Sequence, residues 1–374
     1  MSAEITAPKR LAILTSGGDA PGMNAAIRAA TLVACAAGWE VFGVRQGYQG
    51  LIEDKLEPLG PRDVQRIVRE GGTMLGSARC KAFHERATRD RARAILAARG
   101  ISGLVVIGGN GSLAGALALS DPEEAGDAAP RVVGIPASID NDLALTSLSI
   151  GVDTAMNTIV EACDKIADTA SAHDRTFIIE VMGRDCGYLA MTSAVAAGAD
   201  LVLYPEAERG DDEMVQDVVR AVEAVRKRAV RDRRVIAIKS EGVRLSTTEL
   251  KQRVDEALTR AGGDPEHPVE TRVTVLGHVV RGGRPSAFDR LLGSRLANVA
   301  VRALISGRTR VMAAWLPPSE LPTAIATRSS DDPYCFVVDL PAVLRATEEL
   351  LEGEGALANW RKAVFMQLDA VLSL

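Results

Sequence analysis

Short apolar runs alternate with longer amphipathic stretches through most of the chain. The apolar runs lack regular polar alternation, so they predict strands that are covered on both faces, as in a parallel sheet. The predicted strands are residues 11–14, 41–44, 104–107, 132–135, 177–181, 201–204, 235–238 and 273–276. The stretches between them predict helices over residues 23–37, 84–99, 153–172, 211–228 and 247–260.

Strands that alternate with helices predict an α/β fold, here two doubly wound lobes with mainly parallel sheets. We expect the first lobe to contain residues 1–150 plus about 280–330, and the second to contain residues 151–279 plus about 331–374. After residue 307 the pattern changes, because the stretches 316–318 and 329–333 are rich in the residues typical of loops. Helical periodicity returns over residues 342–351 and 356–374.

Glycine-rich turns follow two of the predicted strands, at the place where an open parallel sheet binds its ligands. The first has the sequence TSGGDAPG (15–22), the second has GGNGS (108–112), and each precedes a helix. Glycine lets the backbone approach a ligand, and the free N–H groups of a helix N-terminus stabilise anions. An ordinary tight turn is the alternative for each, but two such turns on one sheet favour a bound polyphosphate. Neither fits the Walker or the G-x-G-x-x-G pattern.

A third strand end carries carboxylates. The sequence PASIDND (136–142) follows the strand at 132–135 and places Asp140 and Asp142 close in sequence to the hydroxyl of Ser138. Phosphoryl transfer needs a base near the attacking hydroxyl and carboxylates near Mg²⁺. A helix-capping Asx turn explains the same residues, so this segment alone leaves both interpretations open.

Cationic side chains also lie near predicted strand ends, namely Arg79, Arg184, Arg272, His278 and Arg281. The guanidinium group is planar, always charged and well suited to phosphate. A single arginine is more often a solvated surface residue, whereas several at strand ends favour an anionic substrate.

Composition narrows the range of partners. The chain has 44 Lys and Arg against 49 Asp and Glu, a formal net charge of −5, and only 3% aromatic residues, which argues against a nucleic-acid partner. No apolar run approaches the roughly 18 residues of a membrane span, and no signal peptide is visible. Five dispersed cysteines without a C-x-x-C pattern predict neither a disulfide framework nor a zinc site, so we expect a cytoplasmic protein.

Taken together, these segments resemble the phosphofructokinase family. The resemblance is carried, in the family's order and spacing, by LTSGGDAPGMN (14–24), GGT to Arg79 (71–79), IGGNGS (107–112), IDND (139–142), VMGRDCG (181–187) and residues 276–283. It covers the chain from about residue 11 to about residue 310.

The resemblance implies transfer of the γ-phosphoryl group of MgATP to the 1-hydroxyl of fructose 6-phosphate, the glycolytic step that yields fructose 1,6-bisphosphate and ADP. The first lobe would then bind the nucleotide and the second the sugar phosphate. A homodimer or homotetramer with shared active sites is also implied. The alternatives are a pyrophosphate-dependent enzyme and a non-catalytic paralogue that binds sugar phosphate. A dehydrogenase is disfavoured because the dinucleotide fingerprint is missing.

The resemblance implies a role for each residue of this sequence that matches a position in the family's motifs. Catalytic roles fall on Asp140, the general base, and on Ser138, Arg79, Gly18, Asp142 and Arg184. The nucleotide would contact Gly18, Tyr48, Arg79, Cys80, Gly109, Asn110, Gly111, Ser112 and Gly115. The sugar phosphate would contact Ser138, Ile139, Asp140, Met182, Gly183, Arg184, Glu241, His278 and Arg281, with Arg175 and Arg272 supplied by the neighbouring subunit. Asn110 and Asp142 would hold Mg²⁺.

Some positions depart from the family pattern. Asn110 stands where ATP-using members usually have a metal-binding Asp, so we expect weaker Mg²⁺ binding through the amide oxygen. Pyrophosphate users typically have Asp at position 111 and Lys at position 137, whereas Gly111 and Ala137 favour ATP. At the family's effector site Arg28 is retained but Leu32 and Ala167 replace other positions, which predicts weak or different allosteric control.

Overall fold

Two units of the chain each contain their own β-sheet. The structure is a computed structural model and describes residues 9–227, 233–261, 270–317, 326–327 and 332–372. The first unit is formed by Met1–Ile139, Leu143–Asp153 and Arg281–Glu348. The second unit is formed by Asp140–Asp142, Thr154–Val280 and Glu349–Leu374.

Strands and helices alternate in the described residues. The strands are β1 (Arg10–Ser16), β2 (Glu40–Val44), β3 (Leu56–Pro58), β4 (Ile101–Gly108), β5 (Arg131–Pro136), β6 (Thr176–Val181), β7 (Leu201–Leu203), β8 (Val235–Ser240), β9 (Thr271–Val275), β10 (Val311–Trp315), β11 (Ala326–Thr327) and β12 (Cys335–Asp339). The helices are α1 (Met23–Ala36), α2 (Gly47–Ile52), α3 (Arg86–Ala98), α4 (Asn110–Leu119), α5 (Pro122–Ala125), α6 (Val152–Ala172), α7 (Tyr188–Ala197), α8 (Asp211–Lys227), α9 (Thr247–Arg260), α10 (Ala287–Ile305), α11 (Leu340–Leu351) and α12 (Gly355–Leu372). Of the helices in these ranges, none combines the length and the apolar character needed to cross a bilayer.

The first unit's described strands form one sheet in the order β11-β12-β10-β5-β4-β1-β2-β3. Its centre is parallel, and the antiparallel strands β3, β11 and β12 lie towards the edges. The central strands β1 and β4 are almost fully buried, as expected where helices cover both faces. Side chains of α2, α3 and α4 pack on one set of strand residues, while α1 and α10 pack against each other. The sheet edge formed by the ends of β1, β4 and β5 carries the candidate site.

The second unit's described strands form a parallel sheet in the order β7-β8-β6-β9. Apolar residues of α8 and α9 pack on Ile178 and Ala237, which pair in register in the middle of the sheet. Lys239 of β8 is almost completely buried, and burial lowers the pKa of its ammonium group. Its Nζ lies 3.4 Å from a carboxylate oxygen of Glu180, so the buried charge is paired within the sheet.

The α/β fold class with mainly parallel sheets is confirmed, and differences are confined to particular elements. The predicted helix over 84–99 begins at Arg86, after a short 3₁₀ helix at Lys81–His84. Residues 228 and 373–374, at the ends of two predicted helices, and most of the loop stretch 329–333 lie outside the described residues. The boundary at about residue 331 needs correction, because β12 pairs with β10 and α11 largely belongs to the first unit. Several elements were not predicted, namely helices α2, α5, α7 and α10 and strands β3, β10, β11 and β12.

Candidate active site

The turn between β1 and α1 is built for close approach of the backbone to a ligand. Gly17 and Gly22 have φ angles of 84° and 110°, which side-chain-bearing residues rarely adopt. A Cβ at Gly22 would lie 2.8 Å from the Ile150 side chain and 3.1 Å from the main-chain oxygen of Asp289. Gly22 is also the N-cap of α1, whose first turn contains no acidic residue. The positive end of the helix dipole is therefore left for an anion.

The second glycine-rich turn, between β4 and α4, lies directly against the first. A Cβ at Gly108 would lie 2.5 Å from the main-chain oxygen of Ser16 and 2.7 Å from the Oγ of Ser112. A Cβ at Gly17 would lie 3.2 Å from the same Oγ. By contrast, a Cβ at Gly111 would meet no atom within 4 Å. The two turns therefore pack tightly on each other and leave open space beside Gly111.

The end of β5 joins these turns. The amide of Ala137 donates a hydrogen bond of 3.0 Å to the carbonyl of Gly108. This bond places Ser138 beside Gly109, where an added Cβ would lie 3.6 Å from the Cβ of Ser138. Ser138 is half-buried and the following Ile139 is fully buried. The strand therefore presents the serine hydroxyl next to the second glycine-rich turn and buries the next side chain in the core.

Arg281 lies over the first turn. It ends the 3₁₀ helix Gly277–Arg281, and its Nη1 lies 2.7 Å from the position that a Cβ at Gly18 would occupy. A side chain at position 18 would displace the guanidinium group, so glycine is what allows this close approach. The arrangement adds a cation to the N–H groups of the turn. Arg281, predicted as a sugar-phosphate contact, thus lies beside the first glycine-rich turn of the first unit.

Tyr48 supports the helix that follows the second turn. Its hydroxyl donates a hydrogen bond of 2.6 Å to the carbonyl of Ser112, and its ring stacks on Phe83 at 4.1 Å between centroids. A Cβ at Gly115 would lie 2.9 Å from the tyrosine ring. Tyr48 is 4% exposed, and burial raises the pKa of its hydroxyl. This favours a role in supporting α4 over the direct nucleotide contact predicted for it. Cys80, three positions before Phe83, is half-buried, and burial raises the pKa of its thiol.

The loop that carries Arg79 is anchored to the first turn by residues to which no role was assigned. Thr15 donates a hydrogen bond of 2.9 Å to the carbonyl of Gly76, and Ser77 donates one of 2.5 Å to the carbonyl of Gly17. Asn24 donates to the carbonyls of residues 70 and 71 and accepts from the amide of Met74 at 2.7 Å. A buried asparagine in an alanine-rich helix was the available signal, because such a group needs partners. Arg79 itself is exposed.

The second unit gathers three predicted sugar-phosphate contacts at one edge of its sheet. Arg184 follows β6, Glu241 follows β8 and His278 follows β9. These parallel strands are neighbours, so their carboxyl ends meet at the same edge. All three side chains are exposed. The edge therefore presents a guanidinium group, an imidazole and a carboxylate to solvent.

Gly183 allows the turn that presents Arg184. Its φ angle is 131°, and a Cβ there would lie 2.5 Å from the carbonyl oxygen of Cys186. Ser240 donates a hydrogen bond of 2.5 Å to the carbonyl of Gly183, and the amide of Glu241 donates one of 2.8 Å to the carbonyl of Val181. Met182 is buried. The chain segments that follow β6 and β8 are therefore fastened together, which fixes the position of the arginine backbone.

The turn Asp140–Asp142 also belongs to the second unit. Asp140 and Asp142 are half-buried, and Asn141 between them is fully buried with a φ angle of 49°. This left-handed conformation is uncommon except for glycine, and asparagine is among the residues that tolerate it best. The guanidinium of Arg361 donates a hydrogen bond of 2.7 Å to the carbonyl of Asn141. The turn is therefore held in an unusual shape with a carboxylate on each side.

Comparison with known proteins identifies this arrangement. Residues 10–304 match the family model described as phosphofructokinase.

The chain belongs to the phosphofructokinase family.

Its relatives include the ATP-dependent 6-phosphofructokinase of Staphylococcus carnosus, which is 47% identical over 306 residues, covering 80% of this chain and 87% of that protein. The ATP-dependent 6-phosphofructokinase 1 of Thermus thermophilus is 47% identical over 305 residues, covering 81% of this chain and 88% of that one. Among solved structures, phosphofructokinase from Saccharomyces cerevisiae matches with a TM-score of 0.79 at 30% identity. That match covers 98% of this chain and 48% of the longer yeast chain.

Arg175 and Arg272 were expected to contact the sugar phosphate of a neighbouring subunit, so their position relative to Arg184 in this chain is of interest. Arg175 immediately precedes β6 and Arg272 is the second residue of β9, so both lie at the amino ends of their strands. Glu270 pairs with both, at 2.5 Å to the Nε of Arg175. The 6 residues of β6 separate this end of the sheet from Arg184 by about 20 Å. Within one phosphofructokinase chain, these two arginines therefore lie away from Arg184.

The side chains that could hold a metal ion are few in the described part of the chain. Across the described residues, no three His, Cys, Asp or Glu side chains are grouped to hold a metal ion. Mg²⁺ is usually bound through one or two protein oxygens together with substrate phosphates. Asn110 is half-buried at the first position of α4, and that helix has no acidic residue in its first turn. The residues present therefore fit a metal ion held mainly by phosphate.

A pocket in the first unit contains two of the three positions named for the family's effector site, Arg28 and Leu32, but not Ala167. It is lined by Arg28, Leu32, Pro61, Arg62 and Gln65. Arg62 was not predicted and adds a second cation to Arg28. The pocket keeps cationic character with a changed pattern, so altered allosteric control stays a prediction for this phosphofructokinase.

Proposed function

We propose that the chain is an ATP-dependent 6-phosphofructokinase, which transfers the γ-phosphoryl group of ATP to the 1-hydroxyl of fructose 6-phosphate. The observation that carries the proposal is the pair of interlocked glycine-rich turns after β1 and β4, with open space beside Gly111. The relatives from Staphylococcus carnosus and Thermus thermophilus, both named ATP-dependent 6-phosphofructokinases, support the same activity.

The first unit would hold the donor. Two helix N-termini and the guanidinium of Arg281 provide N–H donors and positive charge for the phosphates. The hydroxyl of Ser138, which lies beside Gly109, would donate to the transferring group. Phosphoryl transfer depends mainly on positioning and on stabilising charge, and these groups supply both.

Asp140 would accept the proton of the sugar hydroxyl as that oxygen attacks phosphorus. A carboxylate is a suitable acceptor because the hydroxyl becomes acidic as its bond to phosphorus forms. Arg184, Glu241 and His278 would bind the sugar phosphate, since they share one edge of the second sheet. Arg79, which is exposed on its anchored loop, would stabilise the negative charge that shifts to the leaving ADP.

Asn110 and Asp142 would help to hold the Mg²⁺ that accompanies ATP, with phosphate oxygens as its other ligands. The metal ion would neutralise phosphate charge during transfer. Since Asn110 contributes a neutral oxygen, the attraction of this position for Mg²⁺ is weaker than that of a carboxylate.

ATP is favoured over pyrophosphate by the space at the second turn. A Cβ at Gly111 would meet no atom within 4 Å, so room remains for the α-phosphate of a nucleotide. The adjoining Ala137 is 1% exposed and carries no charge that would bind pyrophosphate.

A homo-oligomer with shared sites forms part of the proposal. Arg175 and Arg272 lie at the amino ends of β6 and β9, roughly 13 to 20 Å along the sheet from the edge with Arg184. Their charge would therefore serve a second copy of the chain. The five free thiols, in a chain with dispersed cysteines, support a location in the reducing cytoplasm.

A donor and acceptor assay on the purified full chain tests the proposal. Formation of fructose 1,6-bisphosphate is measured with ATP or with pyrophosphate, each with Mg²⁺ and fructose 6-phosphate. We expect turnover with ATP, and we expect Asp140→Asn to lower kcat about 10²- to 10⁴-fold, the usual contribution of a general base. The variant should still bind fructose 6-phosphate in a calorimeter.

Two outcomes would contradict the proposal. Turnover with pyrophosphate alone would make the chain a pyrophosphate-dependent enzyme. Binding of fructose 6-phosphate without turnover by either donor would make it a non-catalytic paralogue.

A further inference from the structure

The C-terminal helix α12 lies beyond residues 10–304, the part of the chain that matches the family model. One of its side chains, Arg361, is only 7% exposed, although the preceding Trp360 is 62% exposed. A guanidinium group is seldom buried unless specific partners hold it, because removing its charge from water is unfavourable. The burial of Arg361 therefore calls for an explanation in terms of its contacts.

The partners of Arg361 belong to the second unit. Its Nη2 donates a hydrogen bond of 2.7 Å to the carbonyl of Asn141, and its Nη1 donates one of 3.3 Å to the Sγ of Cys186. The guanidinium also lies over the ring of Tyr188, 5.6 Å from its centroid. Burial raises the pKa of the Cys186 thiol to about 12, so the sulfur is a neutral acceptor. The two hydrogen-bond acceptors are thus uncharged, and one of them is the backbone of the turn between Asp140 and Asp142.

The carbonyl of Asn141 is a sensitive point of that turn. It is part of the peptide plane that joins Asn141 to Asp142, so fixing its direction restricts ψ of the first residue and φ of the second. Asn141 has the uncommon φ angle of 49°, a conformation that persists where surrounding structure holds it. The hydrogen bond from a charged donor is of the stronger kind. Arg361 therefore limits how the backbone between the two carboxylates can rotate.

Helix α12 is itself fastened to the second unit near Arg361. Phe365, one helical turn further on, is buried and lies 5.5 Å from the ring of Tyr204 and 6.5 Å from that of Tyr188. The neighbouring Lys362 pairs with Glu208 at 3.1 Å. The helix therefore has packing and charge contacts that do not involve the turn, whereas Arg361 donates a hydrogen bond to the turn directly.

We propose that Arg361 is a positioning residue, which holds the Asp140–Asp142 turn in the geometry that phosphoryl transfer requires. The proposal rests on the proposed function in that Asp140 is taken as the proton acceptor. It assigns to the C-terminal helix a part in catalysis that acts through the backbone of Asn141.

The first test is independent of activity. Hydrogen–deuterium exchange of a peptide that contains residues 139–144 is compared between the wild type and Arg361→Met. We expect faster exchange in the variant, because the peptide plane after Asn141 is released. Lys362→Met, which removes the neighbouring charge, and Phe365→Leu, which loosens packing, are the matched controls and should leave this peptide close to wild type. Unchanged exchange in Arg361→Met would overturn the proposal.

The second test separates positioning from stability. We expect Arg361→Met to lower kcat about 10- to 100-fold, the scale of effect of a small misplacement of reacting groups, with both KM values within about twofold of the wild type. Arg361→Lys keeps one donor and should recover much of the lost kcat. Phe365→Leu should lower the melting temperature while leaving kcat largely intact.

Other results would assign Arg361 a purely structural role. A kcat loss in Phe365→Leu as large as that in Arg361→Met would do so, as would a kcat of Arg361→Lys no higher than that of Arg361→Met. If Arg361→Met does not fold, the comparison of Arg361→Lys with Phe365→Leu decides the question. Absence of turnover in the wild type would refute the proposed function, and the exchange measurement would still show whether Arg361 holds the turn.

Discussion

The two units of this phosphofructokinase meet the same chemical requirement, the binding of phosphate, by different means. In the first unit the groups that would bind phosphate are mainly backbone N–H groups, and glycines packed against neighbouring main chain set their positions. In the second unit they are polar side chains, with Arg184 and His278 exposed at the end of a parallel sheet. One unit relies on the absence of side chains and the other on their presence.

This difference has consequences for tolerance to substitution. A Cβ at Gly108 would meet the main-chain oxygen of Ser16, which cannot move without shifting a central strand. Exposed arginines have space around them, so their replacement removes charge and leaves the sheet intact. Substitutions at the tightly packed glycines of the first unit should therefore alter folding and turnover together, whereas those at the exposed arginine of the second unit's sheet edge should alter substrate affinity alone.

Among the substitutions that test this comparison of the two units, the largest effect is expected for Gly108→Ala. The added methyl group would lie 2.5 Å from the carbonyl oxygen of Ser16, so β1 and β4 must separate or the turn must change shape. We expect the free energy of unfolding to fall by about 1–3 kcal/mol, as for other overpacked core sites. We also expect turnover with ATP to fall about 100-fold, because the donor would be misplaced. Chemical denaturation and steady-state kinetics measure the two effects.

Gly111→Ala is the matched control, three residues further along the chain. Its methyl group would meet no atom within 4 Å, and alanine suits the first turn of a helix better than glycine does. The free energy of unfolding should stay the same or rise slightly, while KM for ATP increases because the space next to the turn is partly filled. Equal destabilisation by the two substitutions would show that the first unit does not depend on close backbone packing at Gly108.

Some elements of the fold and the site could be predicted from the sequence, and others could not. The strand at 104–107 and the turn that follows it could be predicted from local patterns, because a buried strand and a glycine-rich turn each depend on a few consecutive residues. Strand β12 was missed because its place depends on antiparallel pairing with β10, which local periodicity does not encode. The contacts that hold the site together are equally remote. Asn24 binds residues 46 to 50 positions away, and Arg361 binds a carbonyl 220 positions away. Residue type suggests that such groups need partners, but not which ones.

An intermediate effect is expected for Arg184→Met, which tests the second unit. Methionine keeps much of the length of the arginine side chain and removes its charge. We expect KM for fructose 6-phosphate to rise about tenfold, the lower end of the range for hydrogen bonds to charged groups, since Arg184 is exposed. KM for ATP and the melting temperature should remain close to those of the wild type. Arg244→Met, which removes another exposed arginine of the same unit, provides a control for the loss of charge.

The smallest effect is expected at Asn110, whose side chain, and not a backbone N–H group, would contact the metal ion that accompanies the donor. Asn110→Asp introduces a carboxylate at the start of α4, near the expected position of the Mg²⁺ that accompanies ATP. Two attractions favour the change, because a carboxylate is a better ligand for Mg²⁺ and a negative charge interacts well with a helix N-terminus. The same charge repels the phosphates of the donor, so the net gain should be small. We expect the Mg²⁺ concentration for half-maximal rate to fall about two- to fivefold, the size expected for a weakly coupled pair of charges. Titration of the rate with Mg²⁺ at fixed ATP measures this shift. An unchanged titration curve would show that the metal ion does not contact position 110, so that the donor site of the first unit depends on backbone N–H groups, Ser138 and Arg281 and not on this side chain.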